Sequence, residues 1–178
     1  ESFEHVHGLV EATKRAFRVR DRFITDFDHL PHPPERFLTP AFLDAETRKI
    51  DPRRAAKWPA PPGEGDTIWM GAADASGLVV SYIQSLYWEF GSGCVLPTTG
   101  VLMQNRGTSF SLERGALNAL RPGRKPFHTL NPALAELRDG RVIAYGTMGG
   151  DGQPQTQAAV FTRYVMFRQP LEAALDKP

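Results

Sequence analysis

The segment Asp66–Ser85, DTIWMGAADASGLVVSYIQS, predicts a β-hairpin whose first strand begins on a threonine. Apolar and polar residues alternate from Thr67 to Ala73 and again from Leu78 to Ser85, which is the pattern of half-buried strands. The intervening Asp-Ala-Ser-Gly supplies a short turn, and its glycine is available for a left-handed conformation. This pairing places Thr67 and Ser85 at the same open end of the hairpin.

The residues in front of this hairpin indicate a boundary where the chain can be cut. The run Pro59–Asp66, PAPPGEGD, is rich in proline and glycine and can neither pair as a strand nor pack as a helix. A cut at its end would give Thr67 a free α-amine, so that the threonine would carry its own base. The unperturbed pKa of an α-amine, about 7.7 to 8.0, leaves a useful neutral fraction at neutral pH. Thr67 is therefore a candidate nucleophile, although a strand threonine taken alone is usually structural.

Three further blocks follow the hairpin in order: Phe90–Phe110, Arg124–Pro132 (RKPFHTLNP) and Tyr145–Gly150 (YGTMGG). They resemble, respectively, three parts of the γ-glutamyltransferase (gamma-glutamyltranspeptidase) family of N-terminal nucleophile hydrolases. These parts are the segment after the nucleophile, the Lys-Arg-Pro-x-Ser-Ser-Met-x-Pro block with its two basic residues exchanged, and the oxyanion-hole glycine pair. The stretch Glu4–Arg22 resembles the helix that the family places well before its cleavage site. The resemblance thus spans nearly the whole chain.

The resemblance implies an α/β (α+β) fold in which this chain forms part of an αββα sandwich. It also implies a zymogen that cuts itself autocatalytically between Asp66 and Thr67. Residues 1–66 would be the C-terminal part of the large-subunit region, ending in the Pro/Gly-rich linker, and residues 67–178 the small-subunit region. The helical patterns at both ends of the chain, the first without a preceding cap, likewise suggest part of a longer precursor. The expected partners are the remaining precursor segments and a small-molecule amide substrate.

The same resemblance assigns catalytic roles. Thr67 matches the nucleophile, and Ser85 matches the second hydroxyl that hydrogen-bonds to it. Gly149 and Gly150 match the glycines whose backbone N–H groups stabilise the oxyanion, where losing one donor costs on the order of 100-fold or more in rate. These roles imply an acyl-enzyme ester formed without a metal or an organic cofactor. Taken alone, Ser85 also fits a simple cross-strand hydrogen bond, and the glycine pair fits an ordinary loop.

The predicted substrate pocket departs from the γ-glutamyl pattern. Tyr87, Arg106 and Ser109 stand where γ-glutamyl enzymes commonly carry asparagine, glutamine and the aspartate that pairs with an ammonium. His128 and Thr129 stand in place of the Ser-Ser pair that binds a carboxylate. An arginine fork suits a carboxylate, so the favoured acyl group should bear a carboxylate without a neighbouring ammonium. Oxamate amidohydrolases and cephalosporin acylases are members with similar departures.

Several alternatives stay open. The chain is also compatible with a true γ-glutamyltransferase or glutathione hydrolase that has an unusual pocket, and with a non-catalytic paralogue or binding module. Arg106 either binds the carboxylate of the substrate or pairs with a structural acid such as Glu113. His128 fits either a base near the site or a ring satisfied by a backbone carbonyl.

Composition excludes several other classes of protein. The 178 residues, 41% of them hydrophobic, are sufficient for a packed core, and a net charge of +1 gives no electrostatic case for nucleic acid binding. No apolar run is long enough for a membrane span, and both a cytoplasmic and a periplasmic location remain compatible. The single cysteine, Cys94, excludes an internal disulfide and a cysteine-based zinc site, and its neighbours favour a small buried thiol.

The remaining elements follow from periodicity and turn residues. Helices are predicted over Glu4–Arg22, Ala41–Ile50 and Pro154–Phe167, and another begins at Pro170. The stretch 133–146 predicts a second hairpin because Asp-Gly lies between two short strand patterns.

Overall fold

The computed structural model describes residues 2–58 and 66–177. The linker predicted at Pro59–Asp66 lies outside the described residues, apart from the backbone of its last member. In the described part the helices are α1 Phe3–Phe23, α2 Pro40–Thr47, α3 Gln153–Phe161 and α4 Leu171–Asp176. The strands are β1 Asp66–Ala73, β2 Val79–Tyr87, β3 Ala133–Glu136 and β4 Val142–Tyr145. The chain is therefore a mixed helix-and-strand protein, as its sequence predicts.

The chain divides into two compact units. One unit holds the described parts of residues 1–60, 107–127 and 158–178, and it contains α1, α2, α4 and the end of α3. The other holds the described parts of residues 61–106 and 128–157, and it contains all four strands and the start of α3.

Strands β1 and β2 form the predicted antiparallel hairpin, with Thr67 opposite Ser85. The turn is closed by Asp74, whose Oδ1 accepts backbone N–H bonds of 2.8 and 3.1 Å from the two residues that follow at positions 76 and 78. Gly77 has a φ of 91°, so the expected left-handed residue of the turn is glycine. The strand pairing continues to Tyr87, beyond the predicted end at Ser85, through an irregularity between the first two residues of β1. The prediction of the hairpin and of its open end is confirmed.

A tryptophan ring on β1 packs against the end of β4. A Cβ added at Gly146 would overlap the Trp69 indole, and one added at Gly71 would lie 2.8 Å from its ring. The indole Nε1 donates to Ser81 Oγ on β2 at 2.9 Å. Only glycine leaves room for the ring at these two positions, so the Trp69 indole lies directly against the backbone that follows β4.

Strands β3 and β4 form the second predicted hairpin. Leu137 N donates to Arg141 O at 2.8 Å across the turn, and Gly140 takes a left-handed φ of 85°. The side chain of Arg141 pairs with Asp139 at 2.8 Å, and this hydrogen bonding lowers the pKa of Asp139. The prediction from the Asp-Gly turn is confirmed.

Helix α1 begins with a side-chain cap, so the prediction of an uncapped start is wrong. Ser2 Oγ accepts the backbone N–H of His5 at 3.4 Å, which satisfies one of the unpaired donors of the first turn. In the middle of the helix the buried Glu11 accepts from Lys14 Nζ at 2.6 Å and from Ala56 N at 3.1 Å, which attaches the loop after α2 to α1. None of the helices in residues 2–58 and 66–177 is long and apolar enough to cross a membrane.

Helix α3 is shorter than predicted. The α-helical pattern ends at Phe161, and a π-helical turn covers Thr162–Met166. The Thr162 hydroxyl donates to Ala158 O at 2.8 Å and to Ala159 O at 3.2 Å, in competition with the backbone ladder. Such back-bonding by threonine disturbs helices, which accounts for the change of helix type at this point.

The prediction that Cys94 is a buried thiol is wrong, since its side chain is exposed. The residue lies in a loop held mainly by backbone bonds, including Met103 N to Cys94 O and Ser92 N to Met103 O, both 2.9 Å. An isolated bridge between Val95 and Leu102 extends this pairing. Backbone pairing instead of side-chain packing fixes the loop, so the apolar neighbours of the cysteine do not cover it.

Candidate active site

The two hydroxyls predicted to cooperate face each other across the hairpin. Thr67 Oγ1 donates to Ser85 Oγ at 3.0 Å, and Thr67 is 7% exposed although it lies at the start of a strand. The pairing follows from the register of β1 and β2, which makes the two residues direct cross-strand neighbours. The hairpin thus holds a buried threonine hydroxyl in a defined orientation.

Ser85 Oγ has a second donor, the backbone N–H of Tyr87, at 2.9 Å. Tyr87 has a φ of 80°, a left-handed conformation that costs a side-chain-bearing residue about 1 to 2 kcal/mol. This conformation turns the end of β2 so that the backbone N–H reaches back to the serine. The backbone strain thus lies at the residue whose N–H binds one of the two candidate hydroxyls.

Arg106 lies beside Tyr87 and is 5% exposed. Its guanidinium carbon lies 4.7 Å from the centre of the Tyr87 ring, and its Nη1 donates to Thr129 Oγ1 at 3.5 Å. Its backbone N–H is bonded to the side-chain oxygen of Gln104. Burial lowers the pKa of Arg106, and the Tyr87 phenol acts in the opposite direction, but an arginine with so high an ordinary pKa keeps its charge.

His128 is exposed and lies within electrostatic range of this arginine. Desolvation and then the positive charge of Arg106 lower the pKa of His128 below its usual value. The ring Nδ1 accepts the backbone N–H of Leu130 at 3.2 Å, which requires that nitrogen to be unprotonated. Both observations favour a neutral imidazole at neutral pH, with its proton on Nε2.

The two candidate oxyanion glycines lie between β4 and α3 in left-handed conformations. Gly149 has a φ of 105° and Gly150 a φ of 52°. A Cβ at either position would meet no atom within 4 Å, so the requirement for glycine is conformational and not steric. The Gly149 carbonyl accepts from Gly152 N at 2.8 Å as the chain enters a short 3-10 turn.

The predicted site residues are brought together to different degrees. Five of them form one series of contacts: Thr67, Ser85, Tyr87, Arg106 and Thr129. His128 is adjacent in sequence to the last of these, and Gly149 and Gly150 belong to the same compact unit.

Ser109 belongs to the other compact unit, where its hydroxyl donates to Phe127 O at 3.0 Å. Its predicted contact with substrate therefore stays a prediction.

Two glutamines near the glycine pair were not predicted as site residues from the sequence. Gln153 is fully buried, and Gln157 lies one helical turn later; their side chains bond to the N–H and C=O of Asn131. Glutamine is rarely buried completely, so a sequence pattern gives little reason to select Gln153. The available signal was the spacing of four, which places both residues on one face of a helix.

Comparison with known proteins places this arrangement in a family. The chain is 57% identical over 173 residues to the oxamate amidohydrolase proenzyme of Klebsiella pneumoniae, covering 97% of this chain and 33% of that protein. It is 41% identical over 177 residues to a glutathione hydrolase-like proenzyme of Bacillus subtilis, covering 99% and 34%. The crystal structure of cephalosporin acylase from Bacillus halodurans matches with a TM-score of 0.87 and 34% identity, covering 100% of this chain and 32% of that chain.

The chain therefore spans about a third of the length of these relatives and matches part of the acylase structure. The two sequence relatives are named as proenzymes of hydrolases. The gamma-glutamyltranspeptidase family profile matches residues 1–178, and the chain belongs to that family.

Proposed function

We propose that the full-length protein is an autoprocessing amidohydrolase that cleaves itself between Asp66 and Thr67 and uses Thr67 as an N-terminal nucleophile. The observation that carries this proposal is the 3.0 Å hydrogen bond from the buried Thr67 hydroxyl to Ser85 at the open end of the β1–β2 hairpin. Residues 1–66 then end the large-subunit region and residues 67–178 begin the small-subunit region. The two hairpins form part of the αββα sandwich of an N-terminal nucleophile hydrolase.

The proposed reaction proceeds through an acyl-enzyme ester. Thr67 Oγ1 attacks the amide carbonyl carbon, and the Thr67 α-amine accepts the hydroxyl proton and passes it to the departing nitrogen. Ser85 orients the nucleophile, since its oxygen is held by Tyr87 N–H at 2.9 Å. The backbone N–H groups of Gly149 and Gly150 stabilise the tetrahedral oxyanion. Water then attacks the ester carbonyl carbon while the α-amine takes a proton from it. As the bond to Thr67 Oγ1 breaks, the amine returns this proton to Oγ1, and the carboxylic acid is released.

We further propose that the acyl group bears a carboxylate. Arg106 supplies a planar, permanently charged fork, and the Tyr87 ring and Thr129 hydroxyl fix the plane of the guanidinium. Because His128 is neutral, the positive charge at this position comes from Arg106. The relative at 57% identity is named for oxamate, an amide whose carbonyl carbon is bonded directly to a carboxylate. Small dicarboxylic monoamides are therefore the substrate class that we propose.

Processing provides the first test. The purified full-length protein should appear as two fragments, and the amino terminus of the C-terminal fragment should read Thr-Ile-Trp-Met. Thr67→Ala should remain a single chain, while Thr67→Ser, which keeps a hydroxyl, should be cut. Cleavage of Thr67→Ala at the parental rate would show that another group attacks.

A second candidate function is γ-glutamyl transfer or glutathione hydrolysis, favoured by the relative of glutathione hydrolase-like name at 41% identity. The two candidates are separated by comparing hydrolysis of oxamate with release of aniline from a γ-glutamyl anilide, with and without a dipeptide acceptor. Preference for the anilide, together with acceleration by the acceptor, would favour the transferase. An uncut precursor that forms no acyl-enzyme with either compound would favour a non-catalytic paralogue.

A further inference from the structure

Two glutamines on α3 hold the main chain of a single residue. Gln153 Oε1 accepts the backbone N–H of Asn131 at 3.2 Å, and Gln157 Nε2 donates to the backbone oxygen of Asn131 at 2.8 Å. Residues four apart lie on the same face of a helix, so one face of α3 engages both hydrogen-bonding groups of this peptide segment. The loop at Asn131 is thereby fixed in position and in direction relative to the helix.

The stabilising contact of the buried Gln153 side chain is made by its oxygen and not by its nitrogen. The residue is 0% exposed, and its Nε2 has no hydrogen-bond partner among the described residues. A buried donor without a partner is destabilising, whereas an apolar side chain of similar shape would avoid that cost. Among the residues that the structure describes, the bond from Asn131 N–H to the side-chain oxygen is the polar contact that such a replacement would lose. The contact with the loop is therefore what a glutamine adds at this position.

The loop held by these glutamines leads directly to the arginine. Asn131 Nδ2 donates to Thr129 O at 2.7 Å, and Thr129 Oγ1 accepts from Arg106 at 3.5 Å. At the other end, Gln153 N donates to Gly150 O, so the same helix start is joined to the glycine turn. All of these contacts lie within one compact unit.

We propose that Gln153 and Gln157 are positioning residues for the carboxylate subsite: through Asn131 they fix Thr129, and with it Arg106, relative to the glycine turn. This inference rests on the proposed function, because it assigns specificity to the same site. The glutamines touch neither the substrate nor the reacting atoms. Since the carboxylate is held equally in the ground state and the transition state, loosening the loop raises KM and leaves kcat nearly unchanged.

The decisive variants are at Gln157, which is less buried than Gln153 and needs only a donor for the Asn131 carbonyl. Gln157→Glu keeps the length of the side chain but removes the donor, whereas Gln157→Lys keeps a donor. Gln155→Glu is the matched control, because it places the same charge on the same helix, and residues two apart do not share a helix face. Gln153→Met, which removes the acceptor at the buried position, is a second test of the same contact.

The assay uses the processed full-length enzyme with oxamate, and the thermal midpoint of each variant is recorded in parallel. Loss of one such hydrogen bond should raise KM for oxamate about 2- to 13-fold in Gln157→Glu and in Gln153→Met, with kcat within about twofold of the parent. Gln157→Lys and Gln155→Glu should keep the parental KM. If Gln153→Met does not fold, the series at Gln157 decides.

Three results would overturn the inference. Equal KM values for Gln157→Glu and Gln157→Lys would show that the donor is irrelevant. A fall in kcat at constant KM would place the effect on the chemical step, and a lower thermal midpoint with unchanged kinetics would show a purely structural role. A parent enzyme that prefers a γ-glutamyl anilide would instead refute the proposed substrate class, which is a separate outcome because it is read from the parent alone.

Discussion

Tyr87 contributes to the candidate site in two ways that substitutions can separate. Its left-handed backbone, with a φ of 80°, directs the N–H to Ser85 Oγ, and its ring lies 4.7 Å from the Arg106 guanidinium. Tyr87→Gly removes the ring and relieves the backbone. Tyr87→Ala removes the ring and keeps the strain, while Tyr87→Phe keeps the ring face and the strain but removes the phenol hydroxyl.

The expected magnitude follows from the backbone conformation. Alanine in a left-handed conformation costs about 1 to 2 kcal/mol, and glycine loses about 0.5 to 1 kcal/mol more conformational freedom on folding. The difference between the middles of these two ranges, about 0.75 kcal/mol, leaves Tyr87→Gly locally more stable than Tyr87→Ala, so the local opening equilibria should differ by about 2- to 5-fold. The ring contributes separately, since a cation–π contact is worth about 0.5 to 2 kcal/mol according to its exposure.

Two assays on the full-length protein read these contributions. Hydrogen exchange, followed by mass spectrometry of the peptide that contains residue 87 and corrected for intrinsic rates, should be about 2- to 5-fold faster in Tyr87→Ala than in Tyr87→Gly. The value of kcat/KM for oxamate should fall by similar factors in both of these variants and remain near the parent in Tyr87→Phe. Exchange in Tyr87→Ala as slow as in Tyr87→Gly would refute the argument from strain, and a loss in Tyr87→Phe equal to that in Tyr87→Ala would refute the role of the ring.

Three further predictions concern neighbouring residues. Arg106→Gln should lower the preference for oxamate over a γ-glutamyl anilide by about 10- to 150-fold, because a charged hydrogen bond is worth about 1.5 to 3 kcal/mol. A loss of stability at unchanged preference would instead show a purely structural role for the arginine. Ser85→Ala should slow both self-cleavage and turnover by about 2- to 13-fold, measured by the time course of precursor loss and by kcat. Equal rates in parent and variant would show that Ser85 takes no part in the mechanism. The pKa of His128, followed by NMR, should rise in Arg106→Gln but stay below its usual value, because desolvation of the ring is a larger cause than the charge of Arg106. Since the unfolded chain binds the proton more readily, this histidine makes the parent less stable as pH falls through the unfolded pKa of about 6.5.

The Thr67–Ser85 pairing could be predicted because strand alternation has a strict period. Two residues at the open end of a hairpin with a short turn must face each other, and in the observed register Thr67 pairs with Ser85. The turns at Gly77 and Gly140 were predictable for a related reason, since both adopt the positive φ for which glycine is favoured.

Other features depend on contacts that a local pattern does not contain. Nothing in the residues around Tyr87 indicates a left-handed tyrosine, since its ring contact joins it to Arg106, which is distant in the sequence. The exposure of Cys94 follows from backbone pairing within its loop, which composition does not reveal. The hydrogen bonds of Gln153 and Gln157 to Asn131 join residues separated by more than 20 positions, so that only the folded chain shows them.

The packing of Trp69 against Gly146 has a consequence for zymogen activation. The indole lies two residues after Thr67, and its Nε1 also bonds to Ser81, so the start of β1 is anchored by contacts with residues that follow Thr67 in the chain. A cut in front of Thr67 would remove a covalent tether without removing these anchors. The new amino terminus would then arise on a strand that is already immobilised, and the entropy of ordering the nucleophile would have been lost during folding of the precursor, before any substrate binds.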